Sequence, residues 1–177
     1  MGSPSSFQQT VHRLFAFAAV SLSVALGGCS NVITTNYEAT AFATYTWQVE
    51  YVPNPDKPVR NRREKFASTS LINRNGERPL EAVSGPDDQG LWWPAVPPRP
   101  SIDEMEDRRR SSDEEMRSPE LIRSVDYTIT YEAEGQTMTA PTNYSVYRQV
   151  VRAFESQRPL ELTIAPDERF VTKADPR

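Results

Sequence analysis

The sequence predicts an α+β fold, an antiparallel sheet of about five to seven strands with one amphipathic helix packed on a face. Three observations predict it. Residues 36–52 alternate: Tyr37, Ala39, Ala41, Ala43, Tyr45, Trp47, Val49 and Tyr51 face one way, and Glu38, Thr40, Thr44, Thr46, Gln48 and Glu50 the other. That is the two-residue period of a long half-buried strand, broken only by Phe42. Residues 144–157 carry the one convincing helical spacing, with Tyr147, Val150, Val151 and Phe154 on one stripe and Asn143 placed to cap it. Finally, Asn75-Gly76 and Glu134-Gly135-Gln136 stand between strand-like runs, where hairpin turns belong.

The elements follow in order. Pro53, Pro55 and Pro58 end the first long strand, and residues 57–65 (KPVRNRREK) read as a solvated basic loop joining strands. Residues 66–73 and 78–84 flank Asn75-Gly76 as two arms of a hairpin, with Pro79 confining the second arm to an edge. Residues 86–90 form a turn whose acids lack the D-x-D-x-D-G spacing of a calcium loop. Residues 91–100 hold four prolines, which favours an extended polyproline path on which Trp92 and Trp93 project in different directions. That path is either a strap over the sheet or a platform for a partner, and Trp92 and Trp93 are the candidate partner-binding residues.

Residues 101–117 are highly charged, and two capping boxes, Ser101 with Glu104 and Ser112 with Glu115, predict short exposed helical turns or a mobile insert. Its acids, interleaved with Arg108, Arg109 and Arg110, read as a solvated salt-bridged segment rather than a catalytic or metal site. Residues 121–134 and 137–140 form a second hairpin, stopped by Pro141. Asn143-Tyr144-Ser145 is also a glycosylation sequon, but helix capping explains Asn143 more simply. After Pro159, residues 160–164 and 170–174 make a last hairpin around a turn at 165–168. One domain, residues 37–177, is expected, with a Pro-rich and charged insert near 91–118.

Composition excludes several chemistries. The chain carries a net charge of −4, which gives no support to nucleic-acid binding. Its one Cys is Cys29 and its one His is His12, so the region beyond residue 29 holds no Ser-His-Asp triad, Cys-His pair, Cys/His zinc site or intrachain disulfide. No catalytic residue, metal ligand or cofactor is assigned.

The N-terminal segment bears on where the domain resides. Arg13 precedes an uncharged block, residues 14–26, followed by Gly27, Gly28 and Cys29. As a helix the block rises about 20 Å, short of the roughly 30 Å hydrocarbon core, which favours a signal peptide over a stable span. Leu26-Gly27-Gly28-Cys29 resembles the lipobox of bacterial lipoproteins. The resemblance covers only the first 30 residues. It implies removal of residues 1–28, acylation of Cys29 and an extracytoplasmic domain anchored to a bacterial membrane, with residues 29–36 as a short tether. Two or three acyl chains hold a protein stably to a bilayer, where one is marginal.

Three function classes remain. The leading one is a membrane-anchored cell-envelope lipoprotein acting as a non-enzymatic binding or assembly module, its partners membrane lipid through Cys29 and an envelope protein. The second is a carboxylate-based hydrolase of envelope polysaccharide, which needs two inward acids roughly 5–9.5 Å apart. The third is an apolar-ligand carrier with Tyr37, Tyr45, Trp47, Trp92 and Trp93 lining a pocket.

Overall fold

The computed structural model describes residues 29–53, 60–166 and 169–177. The expected signal peptide lies outside the described residues, as do Pro55, Pro58, residues 57–59 of the basic run, and Asp167 and Glu168 of the last turn. The elements are β1 (Ser30–Thr34), β2 (Tyr37–Val52), β3 (Arg62–Arg74), α1 (Ile102–Glu106), β4 (Glu115–Met116), β5 (Glu120–Ala133), β6 (Gln136–Thr142), α2 (Tyr144–Glu155), β7 (Leu160–Ala165) and β8 (Phe170–Pro176). All the strands join one sheet in the order β1-β7-β8-β6-β5-β2-β3, with β4 added to β2.

The α+β class stands, with three corrections. The sheet has eight strands rather than five to seven. It is mixed, because β6 and β8 meet in parallel through the pair Thr142 and Val171. A second helix, α1, adds to the expected α2. Strands β6 and β8 are not consecutive, since α2 and β7 intervene between them, and no hairpin constrains them to run antiparallel. The tether is the fourth departure. Residues 30–34 are hydrogen-bonded to β7 in register from Ser30↔Ile164 to Thr34↔Leu160, so that among the described residues only Cys29 precedes the sheet. Five residues with Ser and Asn among them carry too little periodicity to be read as a strand; they become one because β7 offers an open edge.

Strand β2 organises the rest. Its predicted inward face is buried at Tyr37, Ala39, Ala41, Ala43, Tyr45, Val49 and Tyr51. Three covers share that face. At the Tyr37 end, α2 packs Val146, Tyr147, Val150 and Val151 against Ala39, Ala41, Ile129 and Tyr131. Small alanines on β2 leave room for those larger helix side chains. In the middle, Ala43 and Tyr45 meet Trp93. At the far end, Val49 and Tyr51 meet Met105 of α1. Helix α2 starts as the sequence predicts, with the Asn143 side chain accepting from Val146 N at 3.0 Å.

Asn75-Gly76 does not turn one strand into the next. Both residues have positive φ, 50° and 75°, as expected. Yet β3 pairs with β2, and residues 78–84 form no strand beyond the single bridge Ser84↔Trp93. Asn75 instead completes the β2–β3 ladder: its N–H donates to Ala39 O, and its Oδ1 accepts from Ala39 N, each at 2.8 Å. The turn then throws the chain over α2, where a Cβ on Gly76 would stand 2.9 Å from Val151 Cγ1. Glu134-Gly135, by contrast, is the two-residue hairpin turn expected, both residues at positive φ between β5 and β6.

Gly76→Ala therefore combines a left-handed backbone with a collision against the main helix. We expect it to lower unfolding free energy by about 2 kcal/mol in urea titrations, whereas Gly135→Ala, with open space around its Cβ, costs about 1 kcal/mol.

Candidate binding surface

The strap is a polyproline segment laid on the sheet. Leu91, Trp93, Pro94, Pro97 and Pro100 are buried, while Ala95, Val96, Pro98 and Arg99 are exposed. The three-residue repeat of Pro94, Pro97 and Pro100 is that of a polyproline helix resting on one edge. Such a helix has no internal hydrogen bonds, so its carbonyls take donors from the sheet. Trp47 Nε1 donates to Pro97 O at 2.8 Å, Thr69 Oγ1 to Ala95 O at 2.5 Å, and Asn73 Nδ2 to Trp92 O at 3.0 Å. Asn73 Oδ1 accepts from Trp92 N in return, at 2.7 Å.

The two candidate tryptophans part as their directions predicted. Trp93 is 5 % exposed, lies 4.9 Å from the Tyr45 ring and donates its indole N–H to Asp87 Oδ2 at 2.7 Å. The Asp87 turn fixes this, its Oδ1 accepting from Gln89 N and Leu91 N. Trp92 is half-buried, with the Arg78 guanidinium 5.0 Å from its ring centre. Trp93 is thus a core residue, and only Trp92 keeps a surface. Trp93→Ala should cost about 3–5 kcal/mol of folding stability and Trp92→Ala about 1–2, read by chemical denaturation.

The charged segment is mostly solvent-exposed and salt-bridged, as its composition predicts, but it is tied to the sheet through the buried Met105 and Glu114. Arg62, expected in a loop, lies in β3 and is clamped. Its Nε and Nη2 donate to the two oxygens of Glu114 at 3.0 and 2.9 Å. Its Nη1 donates to Glu64 Oε1 and its Nη2 to Arg108 O, both at 2.5 Å. The guanidinium sits 4.0 Å from the Tyr51 ring centre, and Tyr51 Oη donates to Met105 O at 2.8 Å. Glu114 Oε2 also accepts from Arg110 N at 2.7 Å. The Ser101–Glu104 capping box forms as predicted and opens α1. The Ser112–Glu115 box opens no helix, since Glu115 enters β4 beside Val52.

Hydrogen bonding from Arg62 and Arg110, against the cost of burial, lowers the Glu114 carboxyl from its usual 4.5 to about 2. A depressed carboxyl stabilises the fold above its unfolded value and loses that contribution as pH falls toward the folded one. Stability should therefore drop between about pH 4.5 and 2, and Glu114→Gln should flatten that part of the curve. At pH 7 the same variant should lose about 2–3 kcal/mol, because it leaves Arg62 half-paired. Denaturant titrations at several pH values check both.

With α2, the strap and α1 on one side, the other face of β3-β2-β5-β6 is uncovered among the described residues. Strand register lays its side chains in rows. Arg74, Thr40 and Thr128 form one, then Ile72, Phe42 and Asp126; Ser70, Thr44 and Ser124; Ser68, Thr46 and Ile122; and Lys65, Gln48 and Glu120. Thr130 and Thr139 extend it onto β6. Hydroxyls pair across strands: Thr44 with Ser70 at 2.9 Å, Thr46 with Ser68 at 2.8 Å and Thr130 with Thr139 at 2.9 Å. Phe42, Ile72 and Ile122 keep 38, 40 and 37 % of their surface exposed among them. Charges gather at the ends, where Arg74 pairs with Glu38 and Arg63 with Glu50, both at 3.8 Å. Phe42, which breaks the alternation of β2, was the sequence signal for this face.

A second feature lies beside Cys29. A cleft of about 830 Å³ runs between Ser30, Asn31, Ile33 and the β5–β6 hairpin residues Glu134, Gln136 and Met138. Cys29, exposed, precedes it.

Among the described residues the acids offer no inward pair. The one buried carboxylate is that of Glu114, and it is committed to Arg62. Among the described residues, no group of three His, Cys, Asp or Glu side chains stands placed to hold a metal ion, and no helix is long and apolar enough to cross a membrane. No protein-family model, curated protein or solved structure matches this chain.

Proposed function

We propose that the chain is a cell-envelope lipoprotein, anchored through an acylated Cys29 and acting as a non-enzymatic binding or assembly module. The observation that carries the binding reading is the uncovered sheet face. Apart from Asp126 beside Phe42, its middle rows carry no charge and hold three exposed apolar side chains, while further charges stand at its ends, the composition of a protein-binding patch. The anchor reading rests on the lipobox-like Leu26-Gly27-Gly28-Cys29. The placement of Cys29 one residue before the sheet is compatible with it, and under this reading the domain sits against the lipid surface rather than on a leash.

The hydrolase reading finds no support in the described carboxylates. The carrier reading loses its lining, because Tyr37, Tyr45 and Trp93 are packed into the core.

Metabolic labelling with an alkyne fatty acid tests the anchor. The full chain should incorporate label and sediment with membranes, and Cys29→Ser should abolish the label and shift the protein to the soluble fraction or leave it unprocessed. An unlabelled parent chain would remove this reading.

A further inference from the structure

We propose that residues 101–117 form a lid that opens and closes as one unit over the far end of β2, with Arg62 as its latch. The proposal goes beyond the binding reading and does not rest on it. Val49 and Tyr51 are fully buried, and Met105 of the segment packs on them, with Phe66 and Met116 at the margin. The segment brings little apolar surface in return. From Ser101 to Ser118 only Met105 and Glu114 are buried, and Arg109 and Met116 half-buried. Helix α2, by contrast, buries Val146, Tyr147, Val150, Val151 and Ala153. Parts of a fold with few buried apolar contacts open at lower free energy than the core. Arg109 adds to this, because its Nε is enclosed without a hydrogen-bond partner among the described residues, a cost that the closed form alone carries.

The attachments make the opening a single event. Pro100 and Pro119 bracket the segment and lack the N–H that would carry a backbone ladder through either end. Its join to the sheet is short: β4 pairs two residues with β2, and Arg117 N donates to Glu50 O at 2.9 Å. Most of what remains converges on one side chain. The Arg62 guanidinium holds Glu114 near the C-terminal end of the segment and Arg108 O in its middle. It also stacks on Tyr51, whose hydroxyl donates to Met105 O near the N-terminal end. Losing the Arg62 contacts therefore loosens all three points together. Arg108, with its guanidinium 4.2 Å from the Phe66 ring centre and donating to Lys65 O at 2.7 Å, leaves with the segment. Opening uncovers Val49, Tyr51 and Phe66, an apolar surface that the closed form hides.

Hydrogen exchange on the full chain in a mild detergent, read by mass spectrometry, tests the lid. Met105, Arg110 and Arg117 all have backbone N–H groups that are hydrogen-bonded in the closed form. Peptides covering the three should share one degree of protection, at least about 100-fold below that of α2 and β5. Arg62→Lys keeps the charge but gives up the paired bonds, and should speed exchange at all three at least about tenfold while leaving α2 and β5 unchanged. Unchanged α2 and β5 also show that the variant folds. Met105→Ala, on the lid itself, should give the same pattern. Protection across 101–117 equal to that of α2 and β5 in the parent chain, ends that exchange independently, no effect of either variant, or faster exchange everywhere in both variants would each overturn the proposal.

Discussion

One strand sets the problem that the rest of the chain solves. The buried face of β2 runs from Tyr37 to Tyr51, roughly 50 Å of apolar surface at strand rise, far longer than a twelve-residue helix covers. Helix α2 closes only the Tyr37 end. The remainder needs cover from segments with little secondary structure of their own, and the chain uses two unlike devices: a polyproline strap and a one-turn helix pinned by charge. Both are sequences that on composition alone look like linkers.

The two devices share a physical logic. A polyproline strand leaves its carbonyls free, and the donors it needs come from Trp47, Thr69 and Asn73 on the sheet. The charged segment has few apolar residues, so Met105 is its sole buried apolar contact in α1, and the bidentate Arg62–Glu114 pair supplies the rest of the attachment. Buried ion pairs contribute less net stability than their attraction suggests, because both charges lose water. Stacking on Tyr51 and the backbone bonds from Arg110 and to Arg108 satisfy what the pair alone leaves open. The effect is to fix where the segment lies as much as to hold it down.

Periodic elements were legible in the sequence and long-range pairings were not. The alternation of β2 and of β5, the stripe of α2 and its Asn143 cap, the Glu134-Gly135 turn and the divergent paths of Trp92 and Trp93 follow from local rules. Asn75-Gly76 was read correctly as a positive-φ turn and wrongly as a hairpin, because local rules do not say which strand the chain meets next. Arg62 and Glu114 each belong to a charge run in which every neighbour looks alike; burial singles them out, and burial is a tertiary property. Strand β1 was invisible for the same reason. Of the open face only Phe42 was marked in advance, as an apolar residue on the polar side of β2; Ile72 and Ile122 join it through register.

The pairing of β1 with β7 has a further consequence. Thr34 has no ladder partner until Leu160 has been made, so the sheet closes only when nearly the whole chain is present. Contacts of such sequence separation form slowly. A chain emerging from its N-terminus can pair β2 with β3 and β5 early, and only its C-terminal part supplies the strand that β1 needs.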